Sequence, residues 1–270
     1  MHKITKKKIL AEGITSFEVE APLVIRQARP GQFVIVRLNE FSERIPLTIC
    51  DSDKSNGTIT LIIQEVGRST KDLCALNVGD AISDILGPLG TPTEIERFGT
   101  VVIIGGGVGA AELYPVACAL KNKGNKVIVI LGARSKGLVI LEDEMKKIAD
   151  EILITTDDGS YGIKGLVTDA LGKLVERGEI INRIICCGPI LMMKAVTEAA
   201  RPKNIATVVS LNAILLDATG MCGTCRVTVG GRTHFSCVDG PDFDGFKVDF
   251  DELLLRNKRF LDEERKALEL

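Results

Sequence analysis

The chain has no tryptophan, two histidines and only 4% aromatic residues in 270. Those histidines, His2 and His234, lie at opposite ends of the sequence, which weakens any serine or cysteine triad and excludes a two-histidine iron–sulfur site built by this chain alone. Long apolar runs are also missing. Apolar runs such as Thr100 to Ile104 fall far short of the roughly 18 residues a bilayer-spanning helix needs, and the N-terminus MHKITKKKIL has no apolar signal core. The expectation is a soluble cytoplasmic protein with no membrane association. Charge of one sign is absent as well: 34 Lys+Arg against 36 Asp+Glu leave a net charge of −2, and Lys6-Lys7-Lys8 is the only basic run. That argues against nucleic acid as a partner. No repeat or low-complexity linker interrupts the chain.

What remains is an ordinary globular composition, 45% hydrophobic and 26% charged, with room for about two domains. Residues 1–98 read as short strands, among them 14–20, 32–38 and 57–63, punctuated by Arg29-Pro30-Gly31, Asn56-Gly57 and Gly87-Pro88-Leu89-Gly90. This pattern predicts a small antiparallel β-barrel. From Gly99 the pattern alternates strand and helix: strands at 101–104, 126–131, 151–155 and 183–186, helices at 112–123, 142–150 and 166–176. That is the order of a parallel α/β sheet, expected over 99–205. A cysteine- and glycine-rich segment follows over 206–248, then a charged helical tail over 249–270. The tail's Leu253, Leu254, Leu255, Phe260 and Leu261 suit either a partner or the chain's own core.

Eight cysteines exceed what packing asks of such a chain, and three of them are Cys222, Cys225 and Cys237. Cys222-Gly-Thr-Cys225 puts two thiolates on one tight turn, and a hairpin around Gly230-Gly231 returns the third. Without signs of secretion, metal binding is favoured over disulfides. A two-iron cluster normally takes four cysteines, and Asp217 stands five positions before Cys222, where a C-x4-C-x2-C spacing would place one. Asp217 is therefore a candidate oxygen ligand. Zinc bound by Cys222, Cys225, His234 and Cys237 is the competing reading. Cys50, Cys74, Cys118, Cys186 and Cys187 read as small buried apolar residues.

Gly105-Gly106-Gly107-Val108-Gly109 follows one strand and opens a helix, so its amides suit a diphosphate. The next strand ends in Gly132-Ala133-Arg134-Ser135 without the usual ribose-binding acid, leaving Arg134 as either a ribose or phosphate contact or a solvated arginine. Cys187-Gly188-Pro189 closes another strand at the edge where open α/β sheets bind ligands. No residue stands out as an acid or base.

In combination these motifs resemble the ferredoxin reductase superfamily. Arg44-Ile-Pro46-Leu47-Thr48-Ile49 is similar to its flavin signature, and Gln64-Glu-Val-Gly67-Arg68-Ser69-Thr70 to its second phosphate loop. The glycine loop with Pro115, the stretch at Arg134, Asp157-Asp158-Gly159-Ser160 and Cys187-Gly188-Pro189 resemble its nicotinamide domain. The cysteine segment narrows the resemblance to the electron-transfer subunits allied to dihydroorotate dehydrogenase. Asp217, in place of their first cysteine, points to the branch of small subunits of NADH-dependent reduced ferredoxin:NADP oxidoreductases. The resemblance implies an oxidoreductase subunit carrying FAD, a [2Fe-2S] cluster and an NAD(H) site. It implies cofactor contacts from Arg44, Pro46, Leu47, Thr48, Ile62, Gly67, Ser69, Thr70, Gly105, Gly107, Val108, Gly109, Arg134, Asp158, Cys187, Gly188 and Pro189, and metal ligation by Asp217, Cys222, Cys225 and Cys237. It also implies a heterodimer with a larger subunit bearing a second flavin and [4Fe-4S] clusters, ferredoxin as that complex's partner, and electron bifurcation. A dihydroorotate dehydrogenase subunit and a zinc-stabilised nucleotide-binding regulatory module are the alternatives.

Overall fold

A computed structural model describes residues 1–269. The first half folds as β1 (His2–Ala11), β2 (Ile14–Glu20), α1 (Pro22–Ile25), β3 (Phe33–Arg37), β4 (Arg44–Thr48), β5 (Asp51–Asp53), β6 (Thr58–Gln64), α2 (Arg68–Ala75), β7 (Ala81–Ile82) and β8 (Asp84–Leu89). These strands make two antiparallel sheets, ordered β5-β6-β2-β1-β7 and β4-β3-β8. The expected barrel is corrected here: the two sheets share a core of Phe17, Val19, Val34, Val36, Ile59, Leu61 and Ile63, but their hydrogen bonding does not close into one cylinder. Pro46 explains part of this, since a residue without an N–H belongs on an edge strand, and β4 is an edge.

The chain continues with β9 (Thr100–Gly106), α3 (Gly109–Asn122), β10 (Lys126–Ala133), α4 (Glu142–Lys146), β11 (Glu151–Thr156), β12 (Ile163–Lys164), α5 (Val167–Glu176), β13 (Arg183–Cys187), α6 (Ile190–Ala200) and β14 (Ala206–Ser210). It ends with β15 (Arg226–Val229), β16 (Arg232–Phe235), β17 (Asp242–Asp244), α7 (Phe250–Arg256) and α8 (Leu261–Glu269). The large sheet runs β12-β11-β10-β9-β13-β14-β17. Its neighbours pair in parallel except β17, which is antiparallel to β14.

The apolar runs of the sequence are strands buried on both faces. Val102 and Ile104 of β9 pack with α5 and α6 residues such as Leu171 and Val196. Val101 and Ile103 pack instead with Leu113, Val116 and Leu120 of α3. Both faces being covered is what turns strict alternation into a continuous hydrophobic run. From β9 the chain adds β10 and β11 on one side, then β13 and β14 on the other, so the strand order reverses between β9 and β13. The carboxyl ends of strands at such a reversal are where open sheets bind ligands. There Cys187 stands in register with Gly105.

Two further departures follow from packing. Ala206–Ser210, which the sequence places with the cysteine segment, is a full member of the parallel sheet, and Asp242–Asp244 returns from beyond the cysteines to pair with it. The tail is two helices rather than one. Phe250 and Leu253 of α7 are buried in the chain's own core, whereas α8 buries nothing. Leu270, the tail's last residue, lies outside the described residues. Among the described residues no helix is long and apolar enough to cross a membrane.

Candidate functional site

Along β4 the alternation of a strand places Arg44, Pro46 and Thr48 on one side and Ile45 and Leu47 on the other, where the latter two pack on the first core. Arg44 and Pro46 are exposed. At the start of α2, the Thr70 hydroxyl accepts from the amides of Val66 and Gly67, each at 3.0 Å, and fixes the loop. The Ser69 hydroxyl donates to Glu43 at 2.6 Å. Glu43, Arg68 and Ser69 line a small cavity of about 260 Å³, with Ala267 of α8 on its wall. Ile62 is not on this side: it is buried in the core shared with Val101 and Ala110.

A larger cavity of about 550 Å³ opens at the β9/β13 reversal. It gathers Gly107, Val108, Gly109, Arg134, Cys187, Gly188 and Pro189 from the sequence-derived set. Gly107 has φ +56 and open space where a Cβ would stand, so a ligand can approach its backbone closely. Gly105 lies beneath the surface instead, its missing side chain admitting Ala110 of α3. Asp158 does not line the cavity; Asp157 does. The Asp158 carboxylate accepts from the Ser160 hydroxyl at 2.7 Å and amide at 2.9 Å, bonds that hold its pKa below the usual range. It shapes the loop.

Sequence reasoning missed Glu112. The Cys187 thiol donates to its carboxyl at 2.9 Å, and Glu112 lines the same cavity as Cys187. Nothing local marks Glu112, because a glutamate three residues past a glycine loop reads as an ordinary first-turn acid. Burial pushes the Glu112 carboxyl upward, with the neighbouring Asp242 carboxyl adding to the effect. Burial, with Glu112 beside it, also raises the Cys187 thiol well above its ordinary value.

The cysteine segment brings two of its three thiols together. Cys225 and Cys237 are buried with their sulfurs 3.2 Å apart. Burial and the Cys225 thiol push Cys237 up to about 12, so this thiol resists ionisation unless a cation neutralises it. Cys222 is exposed, its thiol pKa lowered by hydrogen bonds from the Thr224 backbone and hydroxyl and from the Asp217 backbone, while the Asp217 charge opposes them. The Thr219 hydroxyl donates to the Asp217 carboxylate. Ala218, between them, is held at φ +62, a strained conformation for a residue with a Cβ. Among the described residues no three His, Cys, Asp or Glu side chains converge on one point. His234, of the alternative zinc set, faces Asp239 at 3.7 Å and the Phe243 ring edge-on. The Cys225–Cys237 pair has the thiol chemistry that an iron–sulfur cluster takes.

A family model for the iron–sulfur cluster binding domain of dihydroorotate dehydrogenase B matches residues 212–249. The chain is 48% identical over 269 residues to a dihydroorotate dehydrogenase B electron transfer subunit homolog of Thermotoga maritima, covering 100% of this chain and 95% of that one. It is 32% identical over 241 residues to the dihydroorotate dehydrogenase B electron transfer subunit of Fusobacterium nucleatum, covering 86% and 91%. The chain belongs to this family. A solved structure of NADH-dependent reduced ferredoxin-NADP oxidoreductase, a flavin-based electron-bifurcating enzyme, matches 100% of this chain and 97% of its own, at TM-score 0.95 and 47% identity. Phthalate dioxygenase reductase, at TM-score 0.61 and 17% identity over 85% and 86%, shares the fold alone. In this family member the site residues therefore sit on a ferredoxin reductase-like scaffold with an iron–sulfur segment appended.

Proposed function

We propose that the chain is an electron-transfer flavoprotein subunit that passes electrons between NAD(H), FAD and a [2Fe-2S] cluster, and onward to a larger partner in a ferredoxin:NADP oxidoreductase complex. The observation that carries the reading is the cavity at the β9/β13 reversal, on which the glycine loop, Arg134 and the Cys187-Gly188-Pro189 turn all open. The bound groups supply complementary chemistry: nicotinamide exchanges hydride, the cluster single electrons, and flavin either.

Residues 1–98 form the flavin-binding unit, with Arg44 and the amide end of α2 around Gly67, Ser69 and Thr70 countering the diphosphate, Pro46 and Thr48 beside the ring, and Leu47 supporting them from the core behind. Ile62 supports this unit from within the core. Residues 99–205 form the nicotinamide unit, its sheet completed by β14 and β17. Gly105 to Gly109 admit the dinucleotide, Arg134 and Asp158 shape its outer end, and Cys187-Gly188-Pro189 orient its ring. In the 206–248 segment Asp217 and Cys222 hold one iron, and Cys225 and Cys237 the other. The 249–270 tail covers the core with α7 and offers Leu255 to a partner.

The partner is a larger subunit with its own flavin and [4Fe-4S] clusters, with ferredoxin reached through the complex in the cytoplasm. The 47% identity and TM-score of 0.95 to the bifurcating relative, over 100% of this chain, support this assignment. The test is anaerobic purification with assay of flavin, iron and acid-labile sulfide. One FAD, two irons and two sulfides per chain are expected; zinc without flavin would refute the reading.

A further inference from the structure

The end of α7 meets the turn that carries Cys222 and Cys225. Basic side chains at the end of a helix ordinarily answer the helix's own carbonyls, and Arg259 does so, its Nε donating to the Arg256 carbonyl at 2.9 Å. Arg256 reaches away from its helix instead. Its Nη2 donates to the Thr224 carbonyl at 3.2 Å, and the Arg259 Nη2 donates to the same oxygen at 3.0 Å. Thr224 lies within Cys222-Gly-Thr-Cys225. A third guanidinium is close by, with the Arg226 Nη1 standing 3.4 Å from where a Gly223 Cβ would be. Among the described residues none of these three arginines has an ion-pair partner, although six others do.

The helix end is held firmly. Phe250 and Leu253 are buried in the core, and the Asn257 amide donates to the Asn212 carbonyl at 3.0 Å. The Arg256 Nε is the one buried side-chain polar atom left without a hydrogen bond among the described residues. A buried donor on a charged group that goes unpartnered costs stability, so its placement asks for a reason. A cluster bound through thiolates becomes more negative when it is reduced, and a cation held beside it favours that state. Arg256 is half-buried and so partly shielded from screening, whereas Arg226 and Arg259 are exposed.

We propose that Arg256 is a positioning residue for the iron–sulfur cluster: from the end of α7 it fixes the Thr224 carbonyl inside the ligand turn, and its unpaired charge raises the potential at which the cluster takes its electron. This rests on the iron–sulfur reading above but not on ligation by Asp217. Reduction adds one electron, supplied in the end by reduced nicotinamide, and forms or breaks no bond.

The test uses the full-length protein with Arg256→Gln, which keeps a donor and removes the charge, Arg256→Lys, which keeps the charge, and Arg256→Leu, which keeps neither. Anaerobic titration with dithionite and mediator dyes, read by the electron paramagnetic resonance of the reduced cluster, gives the potential without calling on flavin or NADH. Arg256→Gln should lower the equilibrium constant for reduction about tenfold, which is about 59 mV for one electron, and Arg256→Lys should stay within about twofold. Arg259→Gln should shift it less than about threefold, because solvent screens that charge. An unchanged potential in Arg256→Gln, or a Lys variant as low as the Gln variant, overturns the electrostatic role. In protein freed of iron, backbone hydrogen exchange over residues 222–226 should quicken about tenfold in Arg256→Leu and stay within about twofold in Arg256→Gln. Equal exchange in the parent and Arg256→Leu overturns the positioning role. A parent protein that assembles no cluster while holding flavin overturns the iron–sulfur reading and this inference with it.

Discussion

Replacing Gly109 by alanine probes the join between α3 and the Cys187 turn. The added methyl would stand 2.4 Å from the Cys187 carbonyl oxygen, 2.7 Å from its carbon and 2.9 Å from the Gly188 nitrogen. All three are backbone atoms, so no rotamer change relieves the contact. Reaching ordinary separation requires α3 to withdraw by roughly 1 Å. Overpacking of this kind costs about 1–3 kcal/mol, whereas helix propensity returns at most about 1 kcal/mol to alanine. The clash wins, and net destabilisation of about 1–2 kcal/mol is expected in urea unfolding. The same withdrawal stretches the 2.9 Å contact between Glu112 and Cys187. Misplacement of about 1 Å at a reacting centre can slow chemistry on the order of 100-fold, so stopped-flow reduction by NADH should fall far more than stability does. Gly172→Ala is the control: in the interior of α5 with open space at its Cβ, it should stabilise by up to about 1 kcal/mol. A Gly109→Ala protein as stable as its parent and reduced at the same rate would refute the argument.

Cys225→Ala should lose iron and sulfide while retaining FAD, measured on the same sample, because its partner sulfur lies 3.2 Å away within the cysteine segment. Asp217→Cys should shift the cluster potential, since oxygen and sulfur ligands differ in charge donation; an unchanged potential would argue against ligation. Asp150 accepts from Lys121 at 2.6 Å and from the Val127 amide at 2.8 Å, and these bonds, the Lys121 bond first, hold its pKa below the ordinary value. Its contribution is full above the unfolded carboxylate value and is lost as pH falls through the lower folded one. Asp150→Ala should thus cost about 1 kcal/mol at pH 7 and nothing in strong acid, by urea unfolding at both. Removing residues 258–270 should leave stability nearly unchanged because α8 buries nothing, whereas Phe250→Ala should cost about 3–5 kcal/mol by the same assay.

The parallel half of the fold was legible because its strands are buried on both faces, so Val101 to Ile104 and Val127 to Leu131 announce themselves as apolar runs. The glycine loop and the Cys187 turn are local motifs, and both open on the same cavity. Short, half-exposed strands gave less. β14 and β17 find their places only through pairing across the cysteine segment, and whether two antiparallel sheets close depends on hydrogen bonds between distant strands. Ile62 illustrates the limit of motif transfer, since its neighbours suggest a ligand face while its side chain fills a core. Glu112 was invisible for a related reason. Its meaning comes from Cys187, on a distant strand.

The central claim is that this one chain joins nicotinamide, flavin and cluster. Anaerobic titration of the purified protein with NADH, and separately with NADPH, under visible absorption tests it most directly. The account predicts flavin bleaching by about one equivalent of NADH over an iron–sulfur background, with partial loss of that background as electrons reach the cluster. A colourless protein, or a coloured one that neither nucleotide bleaches, would contradict it.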